Sequence, residues 1–126
     1  MPTSSSALIL FAHGARDPAW AVPVRRLQGK VTALRPDLAV EVAFLELDAP
    51  LLPEAIENLV ARHCREIAIV PVFLAQGGHL KKDVPRLIET MKERFPGVTF
   101  DLWPALGDAD PILDAISAWI VNRTAR

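Results

Sequence analysis

Ala68-Ile69-Val70-Pro71-Val72-Phe73-Leu74-Ala75-Gln76-Gly77-Gly78-His79 decides the fold: an apolar run that stops at two glycines and a histidine, just before the polar, helix-starting segment Leu80-Lys81-Lys82-Asp83-Val84-Pro85. A run this short, without alternation, suits a strand buried on both faces of a parallel sheet better than a half-exposed one. The same device opens the chain, where Ala7-Leu8-Ile9-Leu10-Phe11-Ala12 is followed at once by His13-Gly14-Ala15-Arg16-Asp17-Pro18. Two strand ends each present an imidazole.

Working outward, residues 8–12 form the first expected strand, 39–45 the second, 67–73 the third and 98–103 the fourth. Helical spacing separates them. Asp17 can cap the next element with Pro18 in its first turn. Val24, Leu27, Val31 and Leu34 then recur on one face, up to the stop at Pro36. The start of this helix falls anywhere in 18–22. Leu52, Ile56, Leu59 and Val60 line a second helix, from 51 or 53 to 63. Val84, Leu87, Ile88, Met91 and Phe95 line a third, placed after a Gly-Gly-His loop and ended by Pro96-Gly97. Asp110-Pro111 repeats the cap-then-proline start, and Leu113, Ile116, Trp119 and Ile120 give the last helix a side expected to be buried.

The β-α-β-α-β-α-β-α order predicts an α/β, three-layer domain: a four-stranded parallel sheet in order 2-1-3-4, with helices on both faces and right-handed crossovers. Ligands of such open sheets bind outside the carboxyl ends of the strands. His13, Glu46 and His79 follow the ends of strands one, two and three, so this topology carries all three to one edge.

Length and composition narrow the function. A chain of 126 residues, 51% hydrophobic and 23% charged, is sized for one domain with a genuine core, residues 1–6 forming a frayed tail. Cys64 is the only cysteine, so the fold does not depend on an internal disulfide; the residues present show no signal peptide or membrane span, and a cytoplasmic location is expected. A formal net charge of −1 and the absence of tyrosine argue against a nucleic-acid partner. No Gly-rich phosphate cradle and no serine nucleophile elbow is present.

Two neutral imidazoles and a carboxylate suit a divalent transition metal: cobalt, nickel, iron or zinc. A histidine after a strand reads equally well as a loop residue bonded to backbone; two at equivalent places beside glycines shift the reading towards a site. His63 reads as a residue at a helix end favoured by the dipole, and Cys64 as a packing residue without chemistry. Gly14, Gly77 and Gly78 serve either tight turns or the close approach of a flat ligand. Arg16, Lys81 and Lys82 are either solvated cations or receivers of substrate carboxylates.

The segments 8–18 and 43–47, Pro71-Val72-Phe73-Leu74, Gly78-His79-Leu80 and Asp83-Val84-Pro85, taken together and in this order, resemble the short CbiX-type sirohydrochlorin chelatases of the class II chelatase family. That resemblance implies insertion of a divalent metal into the tetrapyrrole sirohydrochlorin, towards cobalamin or sirohaem. The metal is a substrate, cobalt first with iron or nickel as alternatives, and no permanent cofactor is expected. Position by position it makes His13 and His79 the metal-handling histidines and Glu46 their acidic helper. Arg16, Gly77, Gly78, Lys81 and Lys82 become candidates for the substrate side. It further implies a homodimer, and leaves open a non-enzymatic carrier of metal or tetrapyrrole. Ala15 departs from the serine common after His-Gly in the family.

Overall fold

The structure is a computed structural model that describes residues 5–75 and 77–124, the side chain of His79 excepted. Strand β1 is Ser6–Ala12, β2 Ala39–Phe44, β3 Glu66–Pro71 and β4 Thr99–Leu102. Helix α1 is Val22–Leu34, α2 Leu52–Ala61, α3 Gly78–Arg94 and α4 Asp110–Thr124, with 3-10 turns at Pro18–Ala21 and Leu106–Asp108. All pairings are parallel, and the strand order is β2-β1-β3-β4. This is the expected topology.

The two inner strands are the most apolar ones, as burial on both faces requires. Ile9, Phe11, Ile67 and Ile69 point to one face, where α2 contributes Leu52, Ile56 and Leu59, and α3 contributes Leu80, Val84, Ile88 and Met91. Leu10, Val40, Val42, Phe44 and Val70 point to the other, under Val24 and the half-buried Leu27 and Val31 of α1. A Glu54 carboxylate accepts the Leu51 amide at 3.1 Å and closes the first turn of α2. At its far end His63 adopts a left-handed backbone, φ 68°, and lets the chain turn Cys64 into the core. His63 therefore has a chain-reversing role.

Several expectations change. Residues 1–4 of the expected tail lie outside the described residues, whereas Ser6 opens β1 and pairs with Glu66, and the Ser5 carbonyl just before it accepts from the Arg65 amide at 2.8 Å. β3 ends at Pro71, which has no amide hydrogen, although Val72 still donates to the Phe11 carbonyl at 2.8 Å. Leu34, expected on the inner face of α1, is 81% exposed at the last residue of that helix. Helix α3 begins at Gly78, so His79 belongs to its first turn and not to a loop.

The largest change is in α4. No residue of this helix is buried, and Trp119 and Ile120, expected on its buried side, are 62% and 51% exposed.

Candidate functional site

The carboxyl edge of the sheet is built by continuing strand pairing past the strand ends. Leu45 donates to the Ala12 carbonyl at 2.9 Å and Glu46 to the His13 carbonyl at 3.2 Å, so the histidine and the glutamate are adjacent in backbone register. Gly14 makes this possible. Its φ is +87°, and a Cβ there would drive into the Glu46 carbonyl oxygen. Only glycine lets the two segments lie so close. The next amide, Ala15 N–H, donates to Asp48 Oδ2 at 2.9 Å, so the second loop holds the first.

His13 itself is exposed. Its ring lies against the buried Phe73, with centroids 4.4 Å apart and planes tilted by 43°. Phe73 in turn meets Phe11 edge-on at 5.7 Å. An aromatic wall thus limits the directions the imidazole can take while the residue stays exposed. One side of His13 opens into a hollow of about 250 Å³ lined also by Trp20, Pro23, Phe44 and Val72. A second hollow of about 250 Å³ lies between Phe11, Leu45, Leu52, Pro53, Val84 and Leu87.

Glu46 is exposed beside His13, as are Arg16 on the loop after β1 and Lys81 and Lys82 in the first turns of α3. The His79 side chain lies outside the described part of the structure, so its expected approach to His13 stays an expectation. Among the described residues no three His, Cys, Asp or Glu side chains converge as a ligand set. Gly77 and Gly78 differ from Gly14. Neither has a positive φ, and a Cβ on either would meet open space. The turn role considered for them does not hold, because the backbone there needs no glycine.

Asp48, Phe73 and Trp20 were missed in the sequence. Asp48 gives a weak local signal, an acid two residues beyond Glu46. Phe73 reads only as the end of an apolar run, and its ring contact joins residues sixty positions apart. Trp20 is 74% exposed, and a large aromatic two residues after a helix-starting proline is its only sequence sign.

Comparisons with known proteins agree with the fold. The sirohydrochlorin cobaltochelatase of Methanococcus aeolicus is 35% identical over 82 residues, 65% of this chain and 57% of that protein. That of Methanocaldococcus jannaschii is 33% identical over 87 residues, 69% of this chain and 61% of that protein. The aligned stretch therefore spans less than two thirds of either relative. Among solved structures, a CbiX protein of Marinobacter aquaeolei VT8 superposes with TM-score 0.82 at 29% identity, covering 94% of this chain and 97% of that one. SirB of Bacillus subtilis with Fe3+ superposes with TM-score 0.78 at 23% identity, covering 96% of this chain but 48% of SirB, a likeness of fold. The CbiX family model matches residues 7–122, nearly the whole of the described sheet and helices. The chain belongs to the CbiX family.

Proposed function

We propose that this chain inserts a divalent metal, cobalt first, into sirohydrochlorin. The observation that carries the reading is the adjacency of His13 and Glu46, locked in register by the Glu46 N–H to His13 carbonyl bond at the ligand-binding edge of a CbiX-family sheet. His13, Glu46 and His79 handle the ion, with coordination positions left open so that it can pass to the macrocycle nitrogens. Binding has to be moderate, since a closed four-ligand protein site would trap the metal.

The exposure of His13 and Glu46 suits a group that must hand over its cargo. As the ion enters, two pyrrole N–H protons leave; an imidazole or the Glu46 carboxylate accepts them and passes them to water. Phe73 braces the His13 ring against reorientation during this exchange. Arg16, Lys81 and Lys82 receive the substrate's carboxylates, and their side chains carry no ion pair among the described residues. Gly77 and Gly78, which the backbone does not require, give clearance to a flat macrocycle.

Two copies pair as a homodimer in the cytoplasm. No helix among the described residues is long and apolar enough to cross a membrane. Imidazole and carboxylate accept cobalt, iron and nickel alike, so metal choice follows geometry and supply.

The test is metal insertion followed by tetrapyrrole absorbance, with protein in catalytic amount and cobalt, iron and nickel side by side. Multiple turnovers with cobalt are expected, and replacing His79 by alanine should abolish them. Metallation that stops at one equivalent of protein would make the chain a carrier, and an unchanged rate in His79→Ala would remove that residue from the site.

A further inference from the structure

Trp20 is an aromatic ring without a place in the core. Tryptophan is highly buried on average, yet this one is 74% exposed and lines the hollow of about 250 Å³ that opens beside His13. Its main chain is fixed. The Trp20 amide donates to the Asp17 carbonyl at 3.1 Å, and the Ala19 amide to Asp17 Oδ1 at 2.9 Å. The fold thus holds the indole at the carboxyl edge of the sheet, outside the core clusters on both faces.

Apart from His13 the hollow is walled by apolar groups: Pro23 and Val24 of α1, Phe44 of β2, and Val72. A cation stands next to it. Arg25, the residue after Val24, has its guanidinium carbon 5.7 Å from the centroid of the Phe44 ring. It is exposed and forms no ion pair among the described residues. Two acids of the neighbouring loops are engaged elsewhere, Asp17 with the Ala19 amide and Asp48 with the Ala15 amide. A flat aromatic, an apolar wall and a cation suit a planar conjugated ring that carries carboxylates.

The other hollow at this edge, between α2 and α3, differs in both respects. His13 is not on its lining, and the charged residue there is Asp83. It has neither the imidazole that would hand over a metal nor a charge that attracts carboxylates.

We infer that Trp20 stacks on one pyrrole unit of the macrocycle and that Arg25 takes a carboxylate on the same side, so that the tetrapyrrole is held from the α1 side of His13. This deepens the proposed function and rests on that reading. Transfer of the ion requires the macrocycle nitrogens to come within a coordination bond of the group that releases it. A tetrapyrrole held that close to His13 is wider than the hollow, and the indole is the flat surface that meets it on the α1 side.

Binding of metal-free sirohydrochlorin to the full-length chain, titrated by the tetrapyrrole's absorbance, tests the assignment without turnover. The unaltered chain should bind saturably. Trp20→Ala should raise the dissociation constant about 10-fold and Trp20→Phe by no more than about 3-fold, while Trp20→Leu, apolar but without a flat face, should stay close to alanine. Arg25→Gln should weaken binding about 3-fold at low salt, a deficit that shrinks as salt rises, whereas the deficit of Trp20→Ala persists. Both positions are exposed, so urea midpoints should match that of the unaltered chain; Trp20→Gln replaces Trp20→Ala if that chain folds poorly. No binding by the unaltered chain would overturn the proposed function and this assignment with it. Equally tight binding without the indole, or leucine restoring affinity as well as phenylalanine does, would overturn the stacking and leave the proposed function standing. Arg25→Gln binding as tightly as the unaltered chain at every salt concentration would overturn the carboxylate contact.

Discussion

Replacing Gly14 by alanine perturbs the point at which the His13 and Glu46 segments are held together. The residue sits at φ +87°, where an L side chain costs about 1–2 kcal/mol. The new Cβ would also meet the Glu46 carbonyl oxygen and lie 3.4 Å from Phe44 Cβ. Because Phe44 is packed in the core, the Glu46 segment has to give way. Its movement stretches the Glu46 N–H to His13 carbonyl bond, for a further loss of about 1 kcal/mol. Gly14→Ala should therefore destabilise the fold by roughly 2–3 kcal/mol and lower Tm by about 10 °C in a chain of this size. Urea unfolding followed by far-UV circular dichroism measures this, with the slope unchanged and the midpoint shifted. Gly29→Ala is the matched control. Gly29 lies inside α1 with nothing within 4 Å of its would-be Cβ, so alanine there should stabilise by about 0.5–1 kcal/mol. Two substitutions of the same kind should move stability in opposite directions. A loss at Gly14 below about 0.5 kcal/mol, or changes of one sign at both sites, would refute the account of how this edge is built.

Other expectations follow from the same contacts. Leu59 is fully buried between α2 and the sheet, so Leu59→Ala should cost about 2–5 kcal/mol in urea unfolding, whereas Leu34→Ala, at an 81% exposed position, should stay within about 0.5 kcal/mol. Asp48→Ala removes the acceptor of the Ala15 amide; it should cost about 1 kcal/mol in stability and lower kcat for metal insertion more than it raises KM, which steady-state kinetics would separate. Arg35 donates to both Asp37 oxygens, at 2.9 and 2.8 Å, and holds that carboxyl below its ordinary range. A folded-state pKa below the unfolded one means that this contribution is present at neutral pH and lost as pH falls through the folded value. The pair is fully exposed, so Asp37→Asn should leave Tm at neutral pH almost unchanged and only flatten the acid limb of a calorimetric stability profile.

The sheet was legible in the sequence because the two inner strands combine an apolar run with a polar stop, the outer two keep apolar residues around Glu41 and Asp101, and parallel topology then permits few arrangements. The same topology carries His13 and Glu46 to one edge. Legibility failed where two physical situations share one pattern. Gly77 and Gly78 read as a turn, yet their backbone is ordinary, and the helix simply begins at Gly78. The stripe from Leu113 to Ile120 reads as core by its spacing, yet no residue of α4 is buried. The bracing of His13 by Phe73 was not legible, and that of Ala15 by Asp48 left only a weak local sign. These contacts depend on how far β1 stays paired with β3 and with β2 beyond their last regular residues, and local spacing carries no record of that.

Phe73 joins more of the molecule than its place in an apolar run implies. Its ring lies against His13, and its carbonyl receives the Gly107 amide that sets where α4 departs. A displacement of the main chain at position 73 would therefore reach both the His13 ring and the turn from which α4 departs.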